Sequence, residues 1–137
     1  GKKLIFNEVP KHPELSGCND YLDNDNNSKL RKDFTSYEVE TISLNDLISE
    51  HADKKQIDYI SIDTEGSEFE ILRNFDFKKF HVEVFTIEHN FIEEKRDKIF
   101  KIMTKNDYKR VFENLSHWDD WYVRNDNTVL KCMIDYK

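Results

Sequence analysis

Two segments in the middle of the chain combine apolar runs with β-favouring residues, and a helical pattern follows each of them. Ile57 to Asp63 and Val82 to Glu88 are rich in isoleucine, valine and phenylalanine, which favours buried strands. The apolar residues of Glu68 to Asn74 and of Glu93 to Lys105 recur at helical spacing. Alternation of strands and helices is typical of parallel pairing, so we expect the two strands to run side by side in one direction.

The N-terminal third is more polar, and its predicted elements are shorter. Lys3 to Glu8 and Tyr37 to Thr41 have the composition of strands. Between them, Val9 to Asp33 holds both prolines and a run of asparagine and aspartate, so we interpret it as a long loop. Ser43 is a typical N-cap with an acidic residue three positions later, and it predicts a short helix that ends near Glu50.

The sequence of the C-terminal part predicts several strands in succession. Tyr108 to Asn114 and Trp121 to Arg124 are separated by a short polar segment, which predicts an antiparallel hairpin with a longer loop. An Asn-Asp-Asn turn and a final strand from Thr128 to Asp135 follow. The whole pattern predicts one α/β domain over residues 1–137, with a sheet that is parallel in the middle and ends in a C-terminal antiparallel hairpin.

The net charge, the apolar runs and the cysteine spacing of the sequence limit the kinds of partner that we expect. The formal net charge is −7, so the surface should repel phosphate backbones, and we expect no nucleic-acid partner. No apolar run approaches the about 20 residues of a membrane helix and no signal peptide is visible, so we expect no membrane partner. Cys18 and Cys132 lack the spacing of a metal site, which predicts reduced thiols in a cytoplasmic protein without a metal.

Three carboxylates surround a single glycine where the first strong strand ends. Ligands of open α/β sheets bind outside the carboxyl ends of the strands. Asp63 and Glu65 are therefore candidate catalytic residues that would face a ligand as a base, a hydrogen-bond acceptor or a metal ligand. Gly66 permits the tight bend that such a turn requires. Glu68 is a candidate substrate-binding residue, with helix capping as the alternative interpretation.

A second polar cluster follows the second strong strand. Glu88 and Asn90 are candidate substrate-binding residues. His89 is a candidate general base, because neighbouring strands would bring it near Asp63 and its ordinary pKa of about 6.5 suits proton transfer. The alternative is a histidine that only caps the strand end. Trp118, in an aromatic and acidic loop, is a candidate wall of a substrate pocket, or else packs onto the domain.

These residues resemble a known family. The stretches 43–48 and 58–72 resemble the FkbM-type methyltransferase domain, which carries a Leu-Asp-Asp-Leu-like helix and then a strand that ends in Asp-Val-Glu-Gly-x-Glu. Here Thr64 replaces the usual valine. The stretch 87–90 resembles the next strand end of the family. The resemblance covers about residues 35–124.

The resemblance implies a class I S-adenosylmethionine-dependent methyltransferase with a Rossmann-like sheet. Members of the family typically methylate hydroxyl groups of small molecules or sugars, so a small-molecule acceptor is the implied partner. By this resemblance, Asp63 ends the fourth strand of a seven-stranded sheet, where it would contact S-adenosylmethionine. Glu88 and His89 would end the fifth strand, and the C-terminal hairpin would close the sheet.

The sequence departs from the family at the cofactor site. A glycine-rich turn lets the backbone approach a cofactor closely, and the three glycines, Gly1, Gly17 and Gly66, do not form one. We therefore expect that the N-terminal half of the domain is missing, and that the chain alone binds S-adenosylmethionine poorly and is inactive. The edge of Ile57 to Asp63 would then be unpaired, so we expect the N-terminal segment or a second copy of the chain, in a homodimer, to cover it.

The residues also leave two other classes of function open. One is a non-catalytic interaction module that forms oligomers through its exposed sheet edges. The other is a metal-assisted hydrolase that would use Asp63, Glu65, Glu68 and His89, whose oxygen and nitrogen atoms suit a divalent cation.

Overall fold

The computed structural model describes residues 1–24, 30–52 and 56–127, which form a mixed α/β structure with two sheets. The strands are β1 (Lys3–Glu8), β2 (Gly17–Cys18), β3 (Thr35–Glu40), β4 (Gln56–Ile62), β5 (His81–Glu88), β6 (Tyr108–Val111) and β7 (Asp119–Arg124). The helices are α1 (Leu44–His51), α2 (Glu68–Arg73) and α3 (Glu93–Lys105), with short 3₁₀ helices at Pro13–Leu15 and Asn19–Asn24. The strand predicted from Thr128 to Asp135 lies outside the described residues.

The larger sheet has four strands in the order β4-β5-β7-β6. Strands β4 and β5 pair in parallel, in a register that places Ile62 beside Ile87. The pairs β5–β7 and β6–β7 are antiparallel. The predicted parallel centre and C-terminal hairpin are therefore confirmed. Strand β6 is shorter than predicted, because Phe112 has a φ of 57° and takes the chain out of the extended conformation.

One core joins the larger sheet to all three helices. It combines buried apolar side chains from α1, α2 and α3 with others from β4, β5 and β7, namely Ile48, Leu72, Ile99, Met103, Ile62, Phe85, Ile87 and Tyr122. Residues next to these in the strands point to the other face of the sheet. There, Tyr59 stacks on Trp121 with 6.4 Å between the ring centres, and Tyr59 remains half exposed.

The predicted cap of α1 is confirmed. Ser43 Oγ accepts a hydrogen bond from the Asp46 amide at 3.1 Å and donates one to the Asp46 carboxylate at 2.6 Å. This arrangement satisfies one of the free amides at the start of the helix. No helix in the three described ranges combines the length and the apolar character needed to cross a membrane.

The N-terminal segment forms a separate antiparallel sheet in the order β2-β1-β3. The prediction of a long loop from Val9 to Asp33 was wrong in part, because this stretch holds β2 and both 3₁₀ helices. Three of its apolar side chains, Val9, Leu15 and Leu22, are buried. A two-residue strand and single helical turns are too short to give a periodic pattern, so only tertiary contacts reveal them.

Strand β4 lies at the edge of its sheet and pairs only with β5 among the described residues. The described part of the N-terminal segment therefore does not pair with this edge, and cover by a second copy of the chain stays a prediction. The segment instead packs on the turn that follows β4, where Gly17 approaches the Glu65 side chain and Tyr21 approaches Gly66. It thus builds one wall of the region beyond the strand end.

Candidate active site at the ends of β4 and β5

The turn between β4 and α2 has an unusual backbone. Glu65 has a φ of 54° and Gly66 has a φ of 120°. The second value is strained for any residue with a side chain. A Cβ atom on Gly66 would also lie 2.3 Å from the Tyr21 carbonyl oxygen. Both the conformation and the neighbouring backbone therefore require glycine here, as the sequence indicated for a tight bend.

Glu68 holds this turn together from inside the protein. Its side chain is completely buried, and Oε1 accepts hydrogen bonds from the Thr64 amide (2.8 Å), the Thr64 hydroxyl (3.0 Å) and the Gly66 amide (3.1 Å). Lys95 Nζ lies 2.7 Å from Oε2. Burial opposes ionisation, but the Lys95 charge and these hydrogen bonds outweigh it and lower the pKa of Glu68. Glu68 thus shapes the turn from a buried position, and its contact with a substrate stays a prediction.

Three other carboxylates converge at the strand ends. Oxygen atoms of Asp63, Glu65 and Glu88 all lie within 4.8 Å of one another. The parallel register that pairs Ile62 with Ile87 places the next residues of both strands, Asp63 and Glu88, side by side. We call Asp63, Glu65 and Glu88 the acidic cluster. Its members differ in solvent access, since Asp63 is exposed and Glu88 is only 6% exposed.

Mutual repulsion and burial change the ionisation of the acidic cluster. Burial raises the pKa of Glu88 to about 8, and the charges of Asp63, Glu68 and Glu65 add to this effect while Lys95 opposes it. Burial and the Glu68 charge likewise raise the pKa of Asp63. Perturbed carboxylates of this kind are concentrated at functional sites, although structural networks also contain them.

Arg31, which the sequence did not single out, fixes Glu65 in the cluster. Its guanidinium is 7% exposed and donates to the Leu15 carbonyl (2.9 Å), the Leu22 carbonyl (3.1 Å) and Glu65 Oε2 (2.7 Å). Three hydrogen bonds from one planar group define the position of the acceptor well. Arg31 therefore couples the N-terminal segment to the turn after β4.

A cavity of about 630 Å³ opens beside the acidic cluster. Its walls come from the N-terminal segment, the turn after β4, α2, the β5–α3 connection and α3, and include Tyr21, Glu65, Gly66, Phe69, Asn90, Lys95 and Lys98. This volume is in the range of small-molecule sites. The mixture of aromatic, amide and charged side chains suits a polar ligand.

The contacts that the structure gives for His89 are with residues other than Asp63, so its role as a general base beside Asp63 stays a prediction. Its ring is 2% exposed, Nδ1 accepts a hydrogen bond from the Phe91 amide at 3.1 Å, and Nε2 lies 3.8 Å from Asp120 Oδ1. Burial lowers the pKa of His89. Of the two consecutive residues at the end of β5, it is Glu88 whose side chain joins Asp63 in the acidic cluster.

The other predicted site residues have different surroundings. Asn90 lines the cavity and has a φ of 50°. Trp118 is 56% exposed and lies outside the cavity walls, but its carbonyl accepts hydrogen bonds from the amides of His89 (2.8 Å) and Asn90 (3.0 Å). The four ligands expected for a metal-assisted hydrolase are not assembled, because Glu68 is engaged in the turn and His89 lies beside Asp120.

Replacing Lys95 with methionine should lower the free energy of unfolding by about 2 kcal/mol, because the fully buried Glu68 loses its counter-ion but keeps three hydrogen bonds. The matched change Lys98→Met, on the same helix, removes an exposed ion pair with Glu94 and should be clearly less destabilising. Urea denaturation of both variants tests the difference. Equal losses would show that the contact of Lys95 with Glu68 is not stabilising.

Comparison with known proteins gives one match. A family model described as the methyltransferase FkbM domain matches residues 8–119. The match begins well before residue 35, so it includes β2 and β3 of the N-terminal sheet as well as β4, β5 and the three helices. Neither the comparison with curated proteins nor that with solved structures finds a match.

Proposed function

The chain belongs to the FkbM methyltransferase family, and on that premise we propose that it takes part in S-adenosylmethionine-dependent transfer of a methyl group to a hydroxyl oxygen of a small molecule or sugar. In this proposal the ends of β4 and β5 are the acceptor side of the site. The observation that carries the proposal is the acidic cluster, one member of which, Glu65, lines a cavity of suitable size. We also propose that the order β4-β5-β7-β6 is one part of a Rossmann-like sheet.

The acidic cluster is suited to hold a hydroxyl group. Ionised carboxylates only accept hydrogen bonds, so they bind the O–H of an acceptor with a defined orientation. A carboxylate that accepts this hydrogen bond also increases the electron density on the acceptor oxygen and can take its proton as that oxygen reacts. Asp63, the exposed member, is our candidate for this contact, with Glu65 and Asn90 positioning the rest of the acceptor.

We infer that the described residues do not form the cradle for the methyl donor. S-adenosylmethionine supplies an activated methyl group when it is bound, and family members hold it on backbone that comes close to it at glycine. The space beside Gly66 is filled by the Tyr21 carbonyl, and the space beside Gly17 is filled by Leu22 and Glu65. Our proposal therefore gives these residues the acceptor side of the reaction and assigns the donor to none of them.

Calorimetric titration of the 137-residue chain with S-adenosylmethionine tests whether these residues bind the methyl donor. We expect a dissociation constant weaker than about 1 mM, because no glycine-rich backbone is available to the cofactor. Circular dichroism of the same sample should show a folded protein. Tight binding by the folded chain would mean that these residues hold the donor after all.

The reaction itself is tested with the gene expressed together with its natural flanking sequence. The protein is incubated with S-adenosylmethionine that carries a tritiated methyl group and with a panel of sugars and small alcohols. We expect tritium in an acceptor as a methyl ether. Transfer only to nitrogen or sulfur atoms of amine and thiol controls would contradict a hydroxyl acceptor.

A further inference from the structure

The acidic cluster and the adjacent Glu68 together have more negative charge than the described side chains around them neutralise. Four carboxylates, Asp63, Glu65, Glu68 and Glu88, share the cations Arg31 and Lys95. Arg31 makes its 2.7 Å contact with Glu65, and Lys95 makes its 2.7 Å contact with Glu68. Counted over these six described residues alone, two negative charges remain at the strand ends when all four carboxylates are ionised. Such an excess in a partly buried site requires a cation or protonation.

Glu88 gives an independent indication of a missing partner. Its side chain is 7% exposed, and its Oε2 accepts no hydrogen bond in the described part of the chain. Lys95 Nζ is 4.0 Å from this oxygen, which is beyond hydrogen-bond distance. Buried polar atoms without a partner are uncommon and often mark the position of an ion. Glu88 points into the cluster with Asp63 and Glu65.

We propose that Asp63, Glu65 and Glu88 bind one divalent cation of the Mg²⁺, Mn²⁺ or Ca²⁺ class. Carboxylate oxygens are the ligands that these cations prefer. Two oxygens on opposite sides of one such ion lie roughly 4–5 Å apart, and the cluster oxygens are all within 4.8 Å of one another. Protein oxygens from three residues leave coordination positions for water or for an oxygen of the acceptor. The cation site itself does not depend on the proposed function. Only the contact between the bound cation and the acceptor rests on the proposed function.

Binding is measured with Mn²⁺ alone, in the absence of donor and acceptor, by the loss of the electron paramagnetic resonance signal of free Mn²⁺. We expect one site per chain with a dissociation constant on the order of 0.1 mM. Glu88→Gln and Asp63→Asn should each weaken binding at least about tenfold. Glu113→Gln, an exposed carboxylate outside the cluster, should bind as the unchanged chain does.

Circular dichroism must show that each variant is folded. Glu88 is buried, and its substitution could disturb folding, whereas Asp63→Asn changes an exposed side chain. The Asp63 variant therefore tests the cation site even if the Glu88 variant does not fold. Absence of Mn²⁺ binding by the folded, unchanged chain would overturn the cation site. Undiminished binding by both cluster variants would also overturn it. Because no methyl transfer is measured, a failure here is distinct from a failure of the proposed methyltransferase reaction.

Discussion

Replacing Asp120 with asparagine is expected to lower the free energy of unfolding by about 3 kcal/mol. Asp120 is 1% exposed and accepts two hydrogen bonds from Arg96, at 2.9 and 2.7 Å. It also accepts from Arg110 at 3.3 Å and from the Tyr122 hydroxyl at 3.4 Å. Asparagine has nearly the same shape but no charge, so the largely buried Arg96 loses its counter-ion and Arg110 keeps only the more exposed Glu113. Urea denaturation at neutral pH measures the loss.

Glu113→Gln is the matched control for this substitution. Glu113 also contacts Arg110, at 2.6 Å, but its side chain is 53% exposed. An exposed ion pair contributes about 1 kcal/mol or less. If Asp120→Asn were no more destabilising than Glu113→Gln, the buried network would not be an important source of stability.

The effect of Asp120 should depend on pH. Burial opposes its ionisation, but the hydrogen bonds and charge of Arg96, with the charges of His89 and Arg110, lower the pKa of Asp120 below its ordinary value. A pKa that is lower in the folded state stabilises the protein fully above the unfolded value of about 3.9, and this contribution is lost as the pH falls through the folded value. The stability difference between the unchanged chain and Asp120→Asn should therefore be constant near neutral pH and shrink under strongly acidic conditions. A difference that grows on acidification would contradict this assignment.

Gly66→Ala is the second substitution for which we expect a large effect, a loss of about 3 kcal/mol. Part of it is backbone strain, because alanine rarely adopts a φ of 120°. The remainder is the clash of the new Cβ with the Tyr21 carbonyl, 2.3 Å away, which belongs to the backbone and cannot rotate aside. The turn that carries Glu65 should move as a result.

Gly17→Ala is the appropriate comparison. A Cβ there would lie 2.8 Å from a terminal carbon of Leu22, a flexible side chain, and no positive φ adds strain. We expect a loss of about 1 kcal/mol. Thermal unfolding of the two variants should therefore differ clearly, and a similar loss in both would mean that the backbone of Gly66 is not under the constraint described here.

The sequence predicted the elements that have strong patterns. The continuous apolar runs of β4 and β5 and the helical spacing of α3 identified these elements and the parallel pairing between the strands. The Ser43 cap was equally clear, since capping depends on residues that are close in sequence. Local and periodic signals of this kind are independent of what the rest of the chain does.

Contacts that depend on tertiary structure were not predictable in the same way. Which of Glu88 and His89 approaches Asp63 depends on the register of β4 against β5, and no local pattern gives that register. Arg31 lies in a polar stretch whose pattern suggests only a loop, yet tertiary packing buries its guanidinium beside Glu65. A buried carboxylate such as Glu68 requires a cation, but the sequence offers many lysines and does not indicate Lys95.

We propose above all that the acidic cluster at the ends of β4 and β5 binds and orients the acceptor hydroxyl in methyl transfer. The most direct test of this proposal is tritiated methyl transfer by the protein expressed with its natural flanking sequence, with Asp63→Asn and Glu113→Gln compared at equal amounts of folded protein. We predict a rate at least about 100-fold lower for Asp63→Asn and an unchanged rate for Glu113→Gln. A rate for Asp63→Asn equal to that of the unchanged protein would contradict the account.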